Sequence, residues 1–181
     1  MRILKPETAG LFIDFQERLF PHIAEREELL RNSRILAQGL AVLDVPILVT
    51  QQYTKGLGET IPQIREVLPP GTVALEKNSF SCMDEPAVRE AIRGTGKRFI
   101  VIAGIEAHVC VLQTVIDLVE AGLVPVVIAD CVSSRAAGNR DIGLGRMERE
   151  GAVISCVETL LFELQRFSGG PQFKEISRLV K

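Results

Sequence analysis

Arg-Phe-Ile-Val-Ile-Ala-Gly-Ile-Glu-Ala-His-Val-Cys-Val-Leu-Gln-Thr-Val-Ile-Asp-Leu-Val, residues 98–119, is the stretch that decides the fold. A short β-branched apolar run at 98–103 reads as a strand buried on both faces. Gly104 opens a turn, and from Val111 to Val119 apolar residues recur at helical spacing. The order is strand, turn, helix, with Cys110 in the first turn of the helix. A thiol there lies beside unpaired backbone N–H groups and the positive end of the helix dipole, which favours thiolate. The same N–H groups suit an anion formed on a substrate. A buried structural thiol is the plainer alternative. Against it, Val111, Leu112, Val115, Leu118 and Val119 form the apolar stripe, whereas Cys110 falls with Gln113, Thr114 and Asp117.

Working outward, the alternation continues in both directions. Residues 9–13 form an apolar strand ending at Asp14, and residues 24–43 a helix. Residues 45–50 form strand two, with Pro46 near its start. Residues 51–72 hold glycines and prolines and predict the longest irregular piece, with one or two helical turns at 61–67. A weak third strand at 72–75 leads to Lys77. A helix runs from Asp84 or Glu85 to Arg93, strand five covers 123–129, and 130–135 is its following loop. Residues 139–150 predict a charged helix, 152–154 a last strand and 158–165 another helix. The terminal segment 171–181 is amphipathic, with Phe173, Ile176, Leu179 and Val180 on one stripe, able to cover its own sheet or an interface.

Strands alternating with helices imply parallel pairing through right-handed crossovers, with helices on both faces of the sheet. The expectation is one Rossmann-like three-layer α/β domain over residues 1–181. Such sheets place their sites at the carboxyl ends of strands, where strand order reverses. Asp14, Lys77 and Cys110 each follow a predicted strand.

Composition narrows the function classes. Hydrophobic residues make up 46%, charged residues 24%, and the net charge is −2. That leaves no basic footprint for nucleic acid. No apolar run reaches membrane-spanning length and the amino terminus lacks a signal-type core, so no membrane partner and a cytoplasmic location are expected. In that compartment the four cysteines (Cys82, Cys110, Cys131 and Cys156) are expected as free thiols. Neither C-x-x-C spacing nor more than two histidines is present, which speaks against structural zinc. Gly94-Thr95-Gly96-Lys97 echoes the end of a P-loop but precedes a strand, and Gly143-Leu144-Gly145 lacks the strand a dinucleotide fingerprint needs. His22 reads as solvated, and His108 is too close in sequence to face Cys110 well.

Asp14 within Leu11-Phe12-Ile13-Asp14-Phe15-Gln16, Lys77 within Glu76-Lys77-Asn78-Ser79-Phe80, and Gly104-Ile105-Glu106-Ala107-His108-Val109-Cys110 occur in this order. Together they resemble the cysteine hydrolases of the isochorismatase-like superfamily. Residues 50–58 and 146–152 resemble the short isochorismatase-domain-containing proteins within it. The resemblance implies a six-stranded, mostly parallel sheet and a catalytic triad of Asp14, Lys77 and Cys110. It also implies a cis peptide between Ile105 and Glu106, and an oxyanion hole from the backbone N–H groups of Glu106 and Cys110. Phe15, Gln51, Tyr53 and Phe80 become candidates for the substrate pocket, and a homo-oligomer is expected.

Departures refine the expectation. The metal-containing nicotinamidases of this superfamily carry Asp-x-His after strand two, where this chain has Gln51-Gln52-Tyr53. No catalytic metal and no other cofactor are therefore expected. Relatives that split a vinyl ether commonly lack the cysteine that stands here at 110. The reading is a metal-independent cysteine hydrolase cleaving a C–N bond of a small amide or carbamoyl compound. The alternatives are a redox or electrophile-sensing thiol protein, with Cys131 and Cys156 as resolving thiols, and a non-catalytic scaffold.

Overall fold

In the computed structural model, which describes residues 1–181, the first strand, β1 (Thr8–Ile13), is buried at every position. An apolar strand with no polar face must be covered on both sides, and helices do this. The remaining strands are β2 (Ile47–Gln52), β3 (Ala74–Lys77), β4 (Phe99–Ile105), β5 (Val124–Ser133) and β6 (Val153–Ser155). They form one six-stranded sheet in the order β3-β2-β1-β4-β5-β6. Every pairing is parallel. The expected α/β domain with helices on both faces is thus the observed architecture, and its sheet is parallel throughout.

The helices are α1 (Arg26–Val42), α2 (Thr54–Leu57), α3 (Pro62–Arg65), α4 (Pro86–Gly94), α5 (Leu112–Glu120), α6 (Ala137–Arg149), α7 (Val157–Gln165) and α8 (Gly170–Leu179). Two apolar cores lie on opposite faces of the sheet. One gathers Leu36 and Leu40 of α1, Leu160 and Leu161 of α7, and Ile176 of α8. The other gathers Val88 and Ile92 of α4 with Val111, Val115 and Leu118 around α5.

Three expectations need correction. Residues 51–72 are largely irregular, with α3 falling within the helical turns expected at 61–67, but β2 runs on to Gln52 and α2 adds a turn the sequence did not suggest. Glycines and prolines here punctuate short helices, with Pro62 opening α3. β5 does not stop at Ala129. Its register against β4 jumps from Val127 opposite Ile102 to Val132 opposite Gly104, so extra residues bulge out and the strand then resumes. Cys131 consequently lies inside the strand, fully buried in the α1–α7 core, whereas Cys110 belongs to the other face. The sheet between them prevents Cys131 from serving as a resolving thiol.

The face of α5 that carries Thr114 and Asp117 packs against the chain through polar contacts. Thr114 Oγ1 accepts the Cys82 N–H at 3.0 Å, and Asp117 accepts the Ser81 hydroxyl. Polar residues there dock the 79–83 loop. The stripe of α8, finally, covers its own chain. Ile176 is fully buried and the Phe173 ring lies 6.2 Å from that of Phe162.

Candidate active site

Strand order reverses between β1 and β4, with β2 and β3 built outward on one side and β5 and β6 on the other. The carboxyl ends of β1, β3 and β4 bring Asp14, Lys77 and Cys110 to one edge of the sheet. Asp14 sits just past β1 with φ 57°, a left-handed conformation that Asp tolerates better than most residues. This turns its side chain under the reversal point, where it is 1% exposed.

Each Asp14 oxygen has a different neighbour. Oδ1 accepts the Thr50 hydroxyl at 2.8 Å. Oδ2 lies 2.8 Å from Lys77 Nζ, yet receives no aligned hydrogen bond. The contact is a fully buried charge pair. Lys77 Nζ donates to Gln52 Oε1 at 2.6 Å and to the carbonyls of Ser79 and Phe80, both at 3.1 Å. Burial alone would lower the Lys77 pKa, but the Asp14 charge, with the neighbouring thiols behind it, outweighs burial and raises it.

Cys110 lies in a single π-type turn, Ala107–Val111, between β4 and α5. Such turns occur frequently at functional positions. The Ile105–Glu106 peptide bond just before it is cis. Gly104 permits this approach, since a Cβ there would stand 2.5 Å from the Ile13 carbonyl oxygen. The Cys110 sulfur is 3.5 Å from Gln52 Oε1. Burial first, and then the Asp14 charge, push the Cys110 thiol up to about 12, with Lys77 pulling the other way. Burial and the Asp14 charge therefore work against the thiolate that a helix terminus favours.

Above these groups opens a cleft of about 360 Å³, lined by Asp14, Gln52, Tyr53, Phe80, Cys110 and Arg135 with Leu19, Leu57, Val109 and Glu106. Of the expected pocket residues, Tyr53 and Phe80 are there, half exposed at 53% and 54%. Phe15 is not. It is 1% exposed in the α1–α7 core, with its ring 6.2 Å from Phe12 and 6.5 Å from Phe20. Gln51 is not there either. Side chains alternate along β2, so Gln51 turns away and donates to Thr60 Oγ1 at 2.9 Å, while Gln52 faces the cleft.

Several residues escaped the sequence reading. Gln16, fully buried, bonds both backbone groups of Gln52 (2.7 Å to its N–H, 2.9 Å to its carbonyl) and so fixes the end of β2. Cys82 is buried beside Thr50 and Asp14, and burial with the Asp14 charge pushes its thiol up to about 11. Arg135 holds Glu106 through its backbone N–H at 2.9 Å and its Nε at 3.1 Å and 3.2 Å. Burial would raise the Glu106 pKa, but these bonds lower it. His108 turns from Cys110, its Nδ1 2.9 Å from the Ser134 hydroxyl. Gly143 lets α6 pack on the π turn: a Cβ there would stand 3.2 Å from the Ala107 carbonyl.

The family model for the isochorismatase domain matches residues 8–159. Mouse isochorismatase domain-containing protein 2A is 36% identical over 99% of this chain and 85% of its own length. Among solved structures, the MAR1 ribonuclease of Caenorhabditis elegans superposes with a TM-score of 0.93. It is 37% identical and is covered over 92% of its chain by 99% of this one. YcaC from Pseudomonas aeruginosa, solved with hexane-2,5-diol and covalent acrylamide, gives 0.90 at 25% identity, over 97% of this chain and 89% of that one. With the family model spanning the whole site and relatives above a third identical along nearly the full length, this chain belongs to the isochorismatase family.

Proposed function

We propose that this isochorismatase-family hydrolase cleaves a C–N bond of a small amide or carbamoyl compound through a thioester on Cys110. The observation that carries the reading is the buried ion pair of Asp14 Oδ2 with Lys77 Nζ at 2.8 Å, set beside the Cys110 thiol on the floor of the cleft. A carboxylate held there is within reach of the thiol proton as sulfur attacks.

In the first half-reaction the Cys110 proton passes to Asp14 as sulfur attacks the carbonyl carbon. The resulting oxyanion is held by the backbone N–H groups of Glu106 and Cys110. Collapse breaks the C–N bond, and Asp14 returns its proton to the departing nitrogen. In the second, Asp14 takes a proton from water, whose oxygen attacks the thioester. The C–S bond breaks, the acid leaves, and the proton on Asp14 returns to sulfur. Lys77 keeps the carboxylate in place and offsets negative charge as it moves between oxygen and sulfur.

The cleft chemistry supports a small, partly apolar substrate, with Leu19, Leu57, Phe80 and Val109 as its wall. The covalent acrylamide on YcaC supports the presence of a nucleophile in this fold. Cleavage of RNA, the activity in the name of the C. elegans neighbour, finds less support. The cleft offers one arginine, and its two acids, Asp14 and Glu106, are balanced by Lys77 and Arg135, so it has no net positive charge for a chain of phosphates. Polyanion binding draws on several free cations. No helix is long and apolar enough to cross a membrane, and we keep a homo-oligomer and a cytoplasmic site of action within the proposal. Sedimentation of the purified protein checks the former.

Turnover of a panel of small amides and N-carbamoyl compounds, with an RNA oligomer alongside, tests the proposal. Wild type is expected to release ammonia or amine and Cys110→Ala to release none. Equal turnover by the two proteins would sink it.

A further inference from the structure

Among the charged groups at this site, Arg135 is the one with donors to spare. Lys77 directs its hydrogens to Gln52, Ser79 and Phe80. Arg135 spends its backbone N–H and its Nε on Glu106, and its two terminal nitrogens bond nothing in the protein. Its side chain is 63% exposed and lines the cleft that holds Cys110. Glu106, by contrast, is buried, so the Nε edge of the guanidinium is anchored on a fixed carboxylate. An anchored guanidinium loses little freedom on binding, and its fork matches the two oxygens of a carboxylate.

The charges of the site point the same way. Asp14 pairs with Lys77 and Glu106 with Arg135, so the cleft is close to neutral and free to accept one more charge. A negative charge would meet the open fork of Arg135, whereas a positive one would find both acids already engaged. We propose that the cleft takes substrates with an apolar body and a carboxylate group, and that Arg135 sets this specificity. The inference rests on Cys110 as the nucleophile of the cleft.

Alkylation of Cys110 by iodoacetate and by its neutral isostere iodoacetamide tests it without requiring turnover. Both reagents transfer a two-carbon group to sulfur and release iodide; they differ in the carboxylate. Rates at one mildly alkaline pH are followed by peptide mass spectrometry and divided by those for 2-mercaptoethanol. In wild type the normalised ratio of iodoacetate to iodoacetamide is expected to exceed one by about fivefold to tenfold, the reach of one charge-assisted contact. It should fall towards one in Arg135→Gln, stay intermediate in Arg135→Lys, and drop in wild type when acetate competes. A wild-type ratio at or below one, or a ratio unmoved by both Arg135→Gln and acetate, overturns the carboxylate assignment. If Arg135→Gln does not fold, the wild-type ratio and the acetate competition decide alone. Failure of either reagent to reach Cys110 in the folded protein, with labelling restored on denaturation, would instead overturn the nucleophile reading beneath it.

Discussion

At Asp14 one carboxylate is divided between two tasks, with Oδ1 tied to Thr50 and Oδ2 left facing Lys77 and the Cys110 thiol. Replacing it by Asn should therefore do two opposite things. Amide turnover should fall by about 10²–10⁴-fold with loss of the base. The pH at which Cys110 becomes alkylatable should move down, because the charge that raises its pKa is gone. Iodoacetamide labelling against pH checks the second effect; an unmoved or higher onset would contradict it. The same thiol links pH to stability. Its ordinary pKa of 9.0 rises to about 12 in the folded chain, so folding holds the proton more tightly. That contribution is intact below 9.0 and is lost as pH climbs towards about 12. Denaturation midpoints should fall across this window, and less steeply in Cys110→Ala. Cys82 and Lys77 add to the slope with the same sign.

That Asp14, Lys77 and Cys110 would meet at one edge of the sheet was legible from their order after successive strands, read together with the family resemblance. Gln52 and Gln51 were not separable, since only the pleat decides which of two adjacent glutamines faces the cleft. Phe15 was misread for a related reason. The left-handed turn at Asp14 sends the next side chain into the core.

At the scale of elements, the connection from β4 to α5 places the site, and it depends on the close approach of β4 to β1. Gly104→Ala would drive a Cβ to 2.5 Å from the Ile13 carbonyl oxygen and 2.6 Å from the Ile13 Cβ. Backbone has to move to relieve that, so a loss of stability of about 1–3 kcal/mol is expected by urea denaturation. A Gly104→Ala protein with an unchanged midpoint would show that the strands are not so tightly fixed. Periodicity revealed nearly all of the strands and helices of this sheet. It did not reveal the π turn or the β5 bulge, because both are local departures that tertiary pairing imposes on an ordinary-looking apolar sequence.

For the whole molecule, the order β3-β2-β1-β4-β5-β6 gathers residues from three strands at one edge. Alternation of strands and helices announced a parallel sheet; which helix covers which face emerged only from packing. The role of α8 is an example. An amphipathic stripe is compatible with a partner or with its own chain, and here Ile176 is fully buried against α1 and α7. Truncation after Gly169 should remove that contact and lower stability by at least about 2 kcal/mol, as loss of a large buried side chain does. Chemical denaturation of the truncated chain checks this.

The central claim is a covalent thioester at Cys110. Intact-mass and peptide mass spectrometry of enzyme quenched during turnover of an active amide tests it most directly. The expected result is an acyl increment confined to the Cys110 peptide, removed by hydroxylamine and absent from Cys110→Ala. An increment on Cys82, Cys131 or Cys156 instead, or turnover that persists in Cys110→Ala with no adduct, would contradict the account.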